Sequence, residues 1–343
     1  MATWSELKSN PRLKALYEKR AAVIRLIREF FWREGFIETD TPIAVALPGQ
    51  EPELSPVSVT LHDPQGRAYR HYLQTSPEFA MKKLLAAGFE KIFQLCKCFR
   101  DYESFGGLHN PEFTMIEWYR ARATYRDIMD DTERLFKHVA DNLGAHTVPW
   151  NGHEIALAGA WARKTMRDVW QEYAGVELND YLEAPAMREL ARKRGYTVAD
   201  DEPYDDIFYK IFLNEIEPKL GAERPVFVYE YPVSMASLSR ACAHDARYAE
   251  RFELYIGGLE LANAFGELTD AEEQKNRLEA DRAKRAAAGK EVYPVDADFI
   301  VALSAGIPET GGIALGVDRM IMLLAGATDI NEIIFVSVPD KIG

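Results

Sequence analysis

Cysteine is scarce. Three residues in 343, Cys96, Cys98 and Cys242, cannot build a disulfide framework, which points to a reducing compartment. Cys96-Lys97-Cys98 could hold half a metal site, but no second C-x-C and no close histidine cluster completes it, so two small apolar strand residues is the better account. Positive charge is also short, with 41 Lys and Arg against 54 Asp and Glu and a formal net charge of -13. That balance excludes a general affinity for polyanions while leaving room for a local basic pocket. No apolar run reaches membrane-spanning length, and the opening MATWSELKSNPRLK lacks the apolar core of a signal peptide, so a cytoplasmic protein is expected. G-x-G-x-x-G after a first strand and G-x-x-x-x-G-K are both missing, which removes support for the common nucleotide folds. Internal repeats, low-complexity tracts and long linkers are missing too. What remains, 47% hydrophobic and 28% charged residues, has the composition of a soluble globular enzyme.

The spacing of Val23, Ile27, Phe30, Phe31 and Glu34 predicts a helix over 12–34, stopped by Gly35. FIETDTP then runs extended into Pro42. Segments 57–61 and 69–73 flank HDPQGR, whose Asp-Pro and Gly signal a hairpin. TSPEFAMKKLLAAG reads as a short helix with Ser76 as N-cap and Pro77 at its first position. A strand over 93–100 and another over 113–119 enclose a glycine-bearing loop. Between about 125 and 223 the signals turn helical, most clearly over 126–138, 166–174, 184–194 and 205–217. RPVFVYEYP and RFELYIGGLELANAF return to strand, and LTDAEEQKNRLEADRAKRAAAGK reads as an exposed charged helix opened by a capping box of Thr269 and Glu272. GGIALGVDRMIMLLAG is a strand, a glycine break and a short apolar helix. Strands at both ends with helices between argue for α+β with a mostly antiparallel sheet, as one domain over 1–343 with a helical insertion at about 125–223.

If 113–119 is extended, Phe113, Met115, Glu117 and Tyr119 share one face. A solvated face does not carry Phe and Met, and a dry core does not carry Glu, so what this face meets is an open question at the level of the strand alone. Arg100, ending the preceding strand, is a fixed fork of donors for a carboxylate or phosphate, and His109 leads into the next strand. Taken alone, Arg100 is better explained by an ordinary hairpin with a charged tip and an edge-facing Glu; the whole set is better explained by a site. The Gly257-Gly258 turn pairs Tyr255 with Glu260 and sets Glu253 and Glu260 diagonally on one face. Two carboxylates that close repel unless a cation such as Mg²⁺, with substrate phosphates, lies between them. The alternative is two solvated glutamates. A plain strand would turn Asn263, Phe265 and Glu267 away from Glu260, so a shared pocket requires a bulge between Glu260 and Asn263. In GGIALGVDRM, Gly311, Gly312 and Gly316 admit close backbone approach, and Asp318 reads as an N-cap. Arg319 then falls in the first helical turn, as a phosphate ligand or as a plain helix-surface arginine.

These stretches together resemble the signature motifs of class II aminoacyl-tRNA synthetases, in particular the lysyl subgroup. GFIETDTP with Pro42 resembles motif 1, FRDYESFGGLHNPEFTMIEWY motif 2 and GGIALGVDR motif 3, and TSPE, FELYIGGLELANAFGEL and LTDAEEQ match in order between about 20 and 326. The resemblance implies an antiparallel sheet flanked by helices, with ATP bent across it. By position it implies that Arg100 grips the α-phosphate and the substrate carboxylate, with Asp101, Tyr102, Leu254 and Gly316 also at the nucleotide. His109 and Asn110 would meet the phosphates and base region, Phe113 would stack on adenine, and Arg319 would hold the terminal phosphate. Glu253 and Glu260 would hold Mg²⁺ or share the cation's place with the substrate amine. Ser76, Pro77, Glu78, Glu117, Tyr119, Asn263, Glu267, Gly312 and Ala314 would line the amino-acid pocket, whose several acids suit a lysine-like substrate with two ammonium groups. Motif 1 implies a homodimer.

The predicted motif 1 helix starts within the first dozen or so residues, leaving no room for an N-terminal OB-fold that reads an anticodon, so a catalytic domain alone is expected. In this the chain resembles the synthetase paralogues that activate (R)-β-lysine and attach it to a lysine side chain of translation elongation factor P. Ala314 supports that branch, since the tRNA-charging subgroup has glycine there; a methyl that clashes costs roughly 1–3 kcal/mol, enough to disfavour α-lysine. The motif 2 loop departs from the pattern: Tyr102 stands where the family has Glu, Glu103 follows, and His109 lies one residue farther on, a one-residue insertion at the adenine contact. Ala80 replaces a bulkier polar residue. Competing readings are a stand-alone ligase for another amino acid or carrier and a non-catalytic amino-acid sensor. Retention of both carboxylates and both arginines argues against the sensor.

Overall fold

The computed structural model describes residues 4–236 and 238–335, and the chain divides into two compact units, 1–124 with 268–343, and 125–267. The first unit opens with α1 (Trp4–Ser9) and α2 (Pro11–Arg33), followed by β1 (Ile37–Glu38), β2 (Ala44–Val45), β3 (Ser58–His62), β4 (Ala68–Leu73), α3 (Glu78–Ala86), β5 (Lys91–Phe99) and β6 (Glu112–Ala121). The second unit carries α4 (Tyr125–Leu143), β7 (Thr147–Trp150), β8 (His153–Ala156), β9 (Ala162–Thr165), α5 (Met166–Val169), α6 (Ala184–Lys193), α7 (Tyr204–Ile211), β10 (Val226–Pro232), β11 (Ala241–Cys242), β12 (Asp245–Ile256) and β13 (Leu259–Gly266). The chain then returns to the first unit with α8 (Ala271–Ala287), α9 (Ala297–Ala305), β14 (Thr310–Gly316) and α10 (Val317–Ala325). Among the described residues no helix is long and apolar enough to cross a membrane.

In the first unit the sheet runs β1-β5-β6-β14, with β1 parallel to β5 and the other pairs antiparallel. Helix α2 forms where predicted: Asn10 accepts hydrogen bonds from the Arg12 and Leu13 N–H groups, Pro11 takes the first position, and Gly35 at φ +79° ends it. Its buried stripe of Val23, Ile27, Phe30 and Phe31 faces the sheet, with Phe31 stacked on Phe93 at 4.8 Å and tilted against Trp118 at 5.0 Å. Each such side chain contributes about 1.5–3 kcal/mol by leaving water. In the second unit β12 lies between β10 and β13, all antiparallel, while β9 runs parallel to β10. Its core gathers Met166, Trp170, Phe208, Phe212, Tyr231 and Tyr255. The α+β, mostly antiparallel architecture is the one expected.

Local details differ in instructive ways. The segment whose signals turn helical also contains the β7–β8 hairpin and β9, where the strand formers Val148, Trp150 and Ile155 are buried in alternation. Helix α3 begins at Glu78, with Pro77 at the cap, yet Ser76 Oγ still accepts from the Glu78 N–H at 3.0 Å. Helix α8 is capped by Asp270, which accepts from the Glu273 N–H, not by Thr269 with Glu272. It is also not simply an exposed charged rod, since Gln274, Leu278, Asp281 and Arg285 are buried. Finally, Gly316 occupies the cap of α10, and Asp318 stands inside the helix with its carboxylate turned to other work.

Candidate active site

Strand pairing sets the first-unit face. Opposite residues of an antiparallel pair share a face, and Cys98 lies opposite Phe113, Gln94 opposite Glu117 and Ile92 opposite Tyr119. On the other side β14 sets Ala314 opposite Glu117, Gly312 opposite Tyr119 and Gly316 opposite Met115. The predicted Glu117, Tyr119, Gly312 and Ala314 therefore sit side by side. Glu117 is buried and accepts from Ser76 Oγ at 2.6 Å and Tyr119 OH at 2.9 Å. Burial first, and then the Glu78 carboxylate, push its pKa well above the ordinary value. Glu78 pairs with the buried Lys82. Ser76, Pro77 and Glu78 line a cavity of about 390 Å³ together with Glu51, Gln74, Thr75 and Lys83. The sulfurs of Cys96 and Cys98 lie 3.9 Å apart on the same strand.

At the far end of this sheet the Arg100 guanidinium lies 5.0 Å over the Phe113 ring, and its Nε is buried with no partner among the described residues. Asn110 Nδ2 donates to the Glu112 carbonyl at 2.6 Å, while its Oδ1 is buried and likewise without a partner. Arg319, in the first turn of α10, donates from Nη2 to His109 Nε2 at 2.8 Å. Burial and the Arg319 guanidinium hold the His109 pKa below its ordinary value, so the ring is a neutral acceptor. Asp101 accepts from the Tyr102 N–H at 3.0 Å, and Tyr102, at φ +62°, projects its ring into solvent.

In the second unit the Gly257-Gly258 turn has φ values of +61° and +76°, and Tyr255 pairs with Glu260 as predicted. The register then shifts, Leu254 pairing with Ala262 and Glu253 with Asn263. Leu261 is the extra residue, the bulge that the sequence required. It returns Asn263 to the face of Glu253 and Glu260. Glu253 is buried and accepts from Tyr231 OH at 2.6 Å, from Tyr255 OH and from Arg251 Nη2. Arg251 Nε donates to Asn263 Oδ1 at 3.1 Å, and its guanidinium lies 4.5 Å over Tyr231. Burial and the Glu253 charge raise the pKa of both tyrosines, which stay neutral donors. Glu267 is buried, with a backbone bridge to Ser239, and Glu260 is half-buried.

The predicted acid pair thus has a resident cation, Arg251, beside Glu253, so a metal is not required to make the pair tolerable. The oxygen donors Glu253 and Glu260 nevertheless match the hard-ligand preference of Mg²⁺. Among the described residues, Glu230, Cys242 and His244 bring three ligand-type atoms within 4.8 Å of one another. There Arg167 already holds Glu230 at 2.8 Å, with Arg126 at 3.6 Å, so the carboxylate's charge is matched. Sequence reasoning missed Arg251, Lys82 and Glu51. Arg251 was legible, two residues before Glu253 on a strand of period two. Glu51, in an irregular loop, carried no pattern to find it by.

Comparison with known proteins gives one family: the model of the class II tRNA synthetases (D, K and N) matches residues 2–338. The chain is 39% identical over 342 residues to a protein of Enterobacter sp. (strain 638) named Elongation factor P–(R)-β-lysine ligase, covering 98% of each chain. Proteins of the same name from Edwardsiella ictaluri (strain 93-146) and Salmonella typhi are 40% identical over 340 residues and 38% over 339, again covering 98% of each chain.

Proposed function

We propose, from the premise that this chain belongs to the class II tRNA synthetases (D, K and N), that it activates (R)-β-lysine with ATP and transfers it to a lysine side chain of translation elongation factor P. The observation that carries the chemistry is Arg100, stacked over Phe113 with a buried Nε that has no acceptor among the described residues. A guanidinium so placed is ready for the anionic oxygens of a phosphate and a carboxylate. The amino acid's carboxylate attacks the α-phosphorus of ATP, and the bond to pyrophosphate breaks. Arg100 spreads the charge of the in-line transition state while Arg319, steadied by His109, holds the terminal phosphate. This step needs no general base, because the attacking carboxylate is already ionised. The acceptor's neutral lysine amine then attacks the adenylate carbonyl, and AMP leaves.

Asn110 serves the nucleotide, while Ser76, Glu78, Glu117 and Tyr119 hold the amino acid against Ala314 and Gly312. Asn263, Glu267 and the acid pair serve the same reaction. Glu253 and Glu260 would hold Mg²⁺, which when bound neutralises phosphate charge. Trp32 and Ile37, 54% and 52% exposed at the motif 1 segment, fit a homodimer contact. A cytoplasmic location fits the substrates.

The test is intact-mass measurement of elongation factor P after incubation with ATP, Mg²⁺ and each lysine isomer. The expected result is a gain of one lysyl group, greatest with (R)-β-lysine. No gain with any isomer rejects the acceptor, and no ATP–pyrophosphate exchange with any isomer would favour a sensor.

A further inference from the structure

The loop over 49–54 is held at nearly every carbonyl. Arg285 Nη1 donates to the carbonyls of Glu51 and Leu54, each at 2.7 Å, and Lys290 Nζ to those of Pro52 and Glu53 at 2.6 and 3.0 Å. Tyr293 OH reaches the Gly49 carbonyl at 2.8 Å, and Gln50 Nε2 donates to the Pro294 carbonyl at 3.0 Å. Arg285 is 1% exposed, and its guanidinium is devoted to carbonyls, Glu291 included, beneath the Tyr293 ring. Burying a guanidinium is expensive, so the loop it fixes has a conformation worth fixing.

That loop presents one carboxylate to the 390 Å³ cavity, Glu51. Its Oε2 is shut off from solvent and has no hydrogen-bond partner among the described residues. A β-carbon on Gly49 would stand 2.2 Å from the same oxygen, so glycine reserves the space in which the carboxylate lies. Ser76 and Glu78, assigned above to the amino acid, line the same cavity. A buried carboxylate oxygen with no donor beside a second acid is costly, and burial together with Glu78 pushes the Glu51 pKa up to about 7 against the opposing pull of the Arg100 charge. Glu78 already has Lys82, so the acid left to satisfy is Glu51, and the group that does so is a small cation with several N–H donors.

We infer that Glu51 is a specificity-determining residue that grips an ammonium group of the amino-acid substrate from the clamped loop, an inference that rests on the activation chemistry proposed above. ATP–pyrophosphate exchange tests it, with the full chain and a panel of lysine isomers and monoamino acids. Glu51→Gln should raise KM for the preferred diamino acid roughly tenfold to a hundredfold, the range of a charge-assisted hydrogen bond, with kcat and KM for ATP little changed. Gly49→Ala, which keeps the charge but crowds its seat, should move KM in the same direction. A melting temperature of Glu51→Gln at or above that of the wild type shows that the fold is kept. An unchanged amino-acid KM in Glu51→Gln overturns the inference. Exchange with a diamino acid that never reaches elongation factor P removes the acceptor but leaves Glu51 its role. Absence of exchange with any of the acids removes both.

Discussion

Arg319 Nη2 and His109 Nε2 lie 2.8 Å apart, joining the first turn of α10 to the loop before β6. The contact requires a neutral imidazole, since a protonated ring would turn a second donor toward the guanidinium. Because the folded state lowers the His109 pKa, its stabilising contribution is present above the unfolded value near 6.5 and is lost as pH falls below it. His109→Ala should therefore weaken ATP binding about three- to tenfold and leave KM for the amino acid nearly unchanged. Exchange kinetics against each substrate measure this; an equal loss for both would assign His109 to the fold instead.

Arg251 is the internal counter-charge of Glu253. Arg251→Met leaves a buried carboxylate with, among the described residues, the two tyrosine hydroxyls and should destabilise the protein by about 3–5 kcal/mol. Adding Glu253→Gln should recover much of that loss, whereas Tyr231→Phe alone should cost roughly 1–3 kcal/mol. Denaturant titration of the singles and the double gives the coupling directly. Additive losses would mean the two side chains do not pair.

Asp318 lies inside α10, one residue before Arg319, and its contacts fix the start of that helix. The carboxylate accepts from the Thr114 N–H at 2.6 Å and from Arg20, itself bonded to Thr114 Oγ1 at 2.8 Å. Helix α2, strand β6 and helix α10 thus meet at one buried acid. Asp318→Asn puts an N–H₂ where two donors already point, and a loss of about 3–5 kcal/mol is expected, with a rise in KM for ATP as Arg319 shifts. Calorimetric unfolding combined with exchange kinetics checks both.

Features that repeat with a period were legible in the sequence. The Tyr255–Glu260 pairing followed from Gly257-Gly258, and the bulge at Leu261 followed from demanding that Glu253 and Asn263 share a face. The β5–β6 hairpin and the shared face of Phe113 and Glu117 followed from alternation. Caps were less legible, because Thr269 and Asp270 are neighbours of similar merit, and at α3 Ser76 still accepts from the Glu78 N–H although the helix begins one residue later than its cap signal suggests. Least legible was Glu51, whose place is set by Arg285, Lys290 and Tyr293, more than 230 residues away along the chain. Long-range clamps on an irregular loop leave no local pattern.

Glu117 gives a prediction about protons. It is raised well above the ordinary carboxylate value, chiefly by burial and next by Glu78. An acid raised in the folded state is held protonated there after its unfolded counterpart has ionised. Stability from this group therefore falls as pH rises above about 4.3 toward the folded value. An incoming ammonium reverses the shift, because opposite charge favours the carboxylate. Binding of the diamino acid should then release a proton in the pH range between the free and bound values. Calorimetry in buffers of different ionisation enthalpy reads that release as a slope, and Glu117→Gln should remove Glu117's share. An unchanged slope in the variant would place the released proton elsewhere, with Glu51 the next acid to test. A wild type that releases no proton would mean that no ammonium meets either acid.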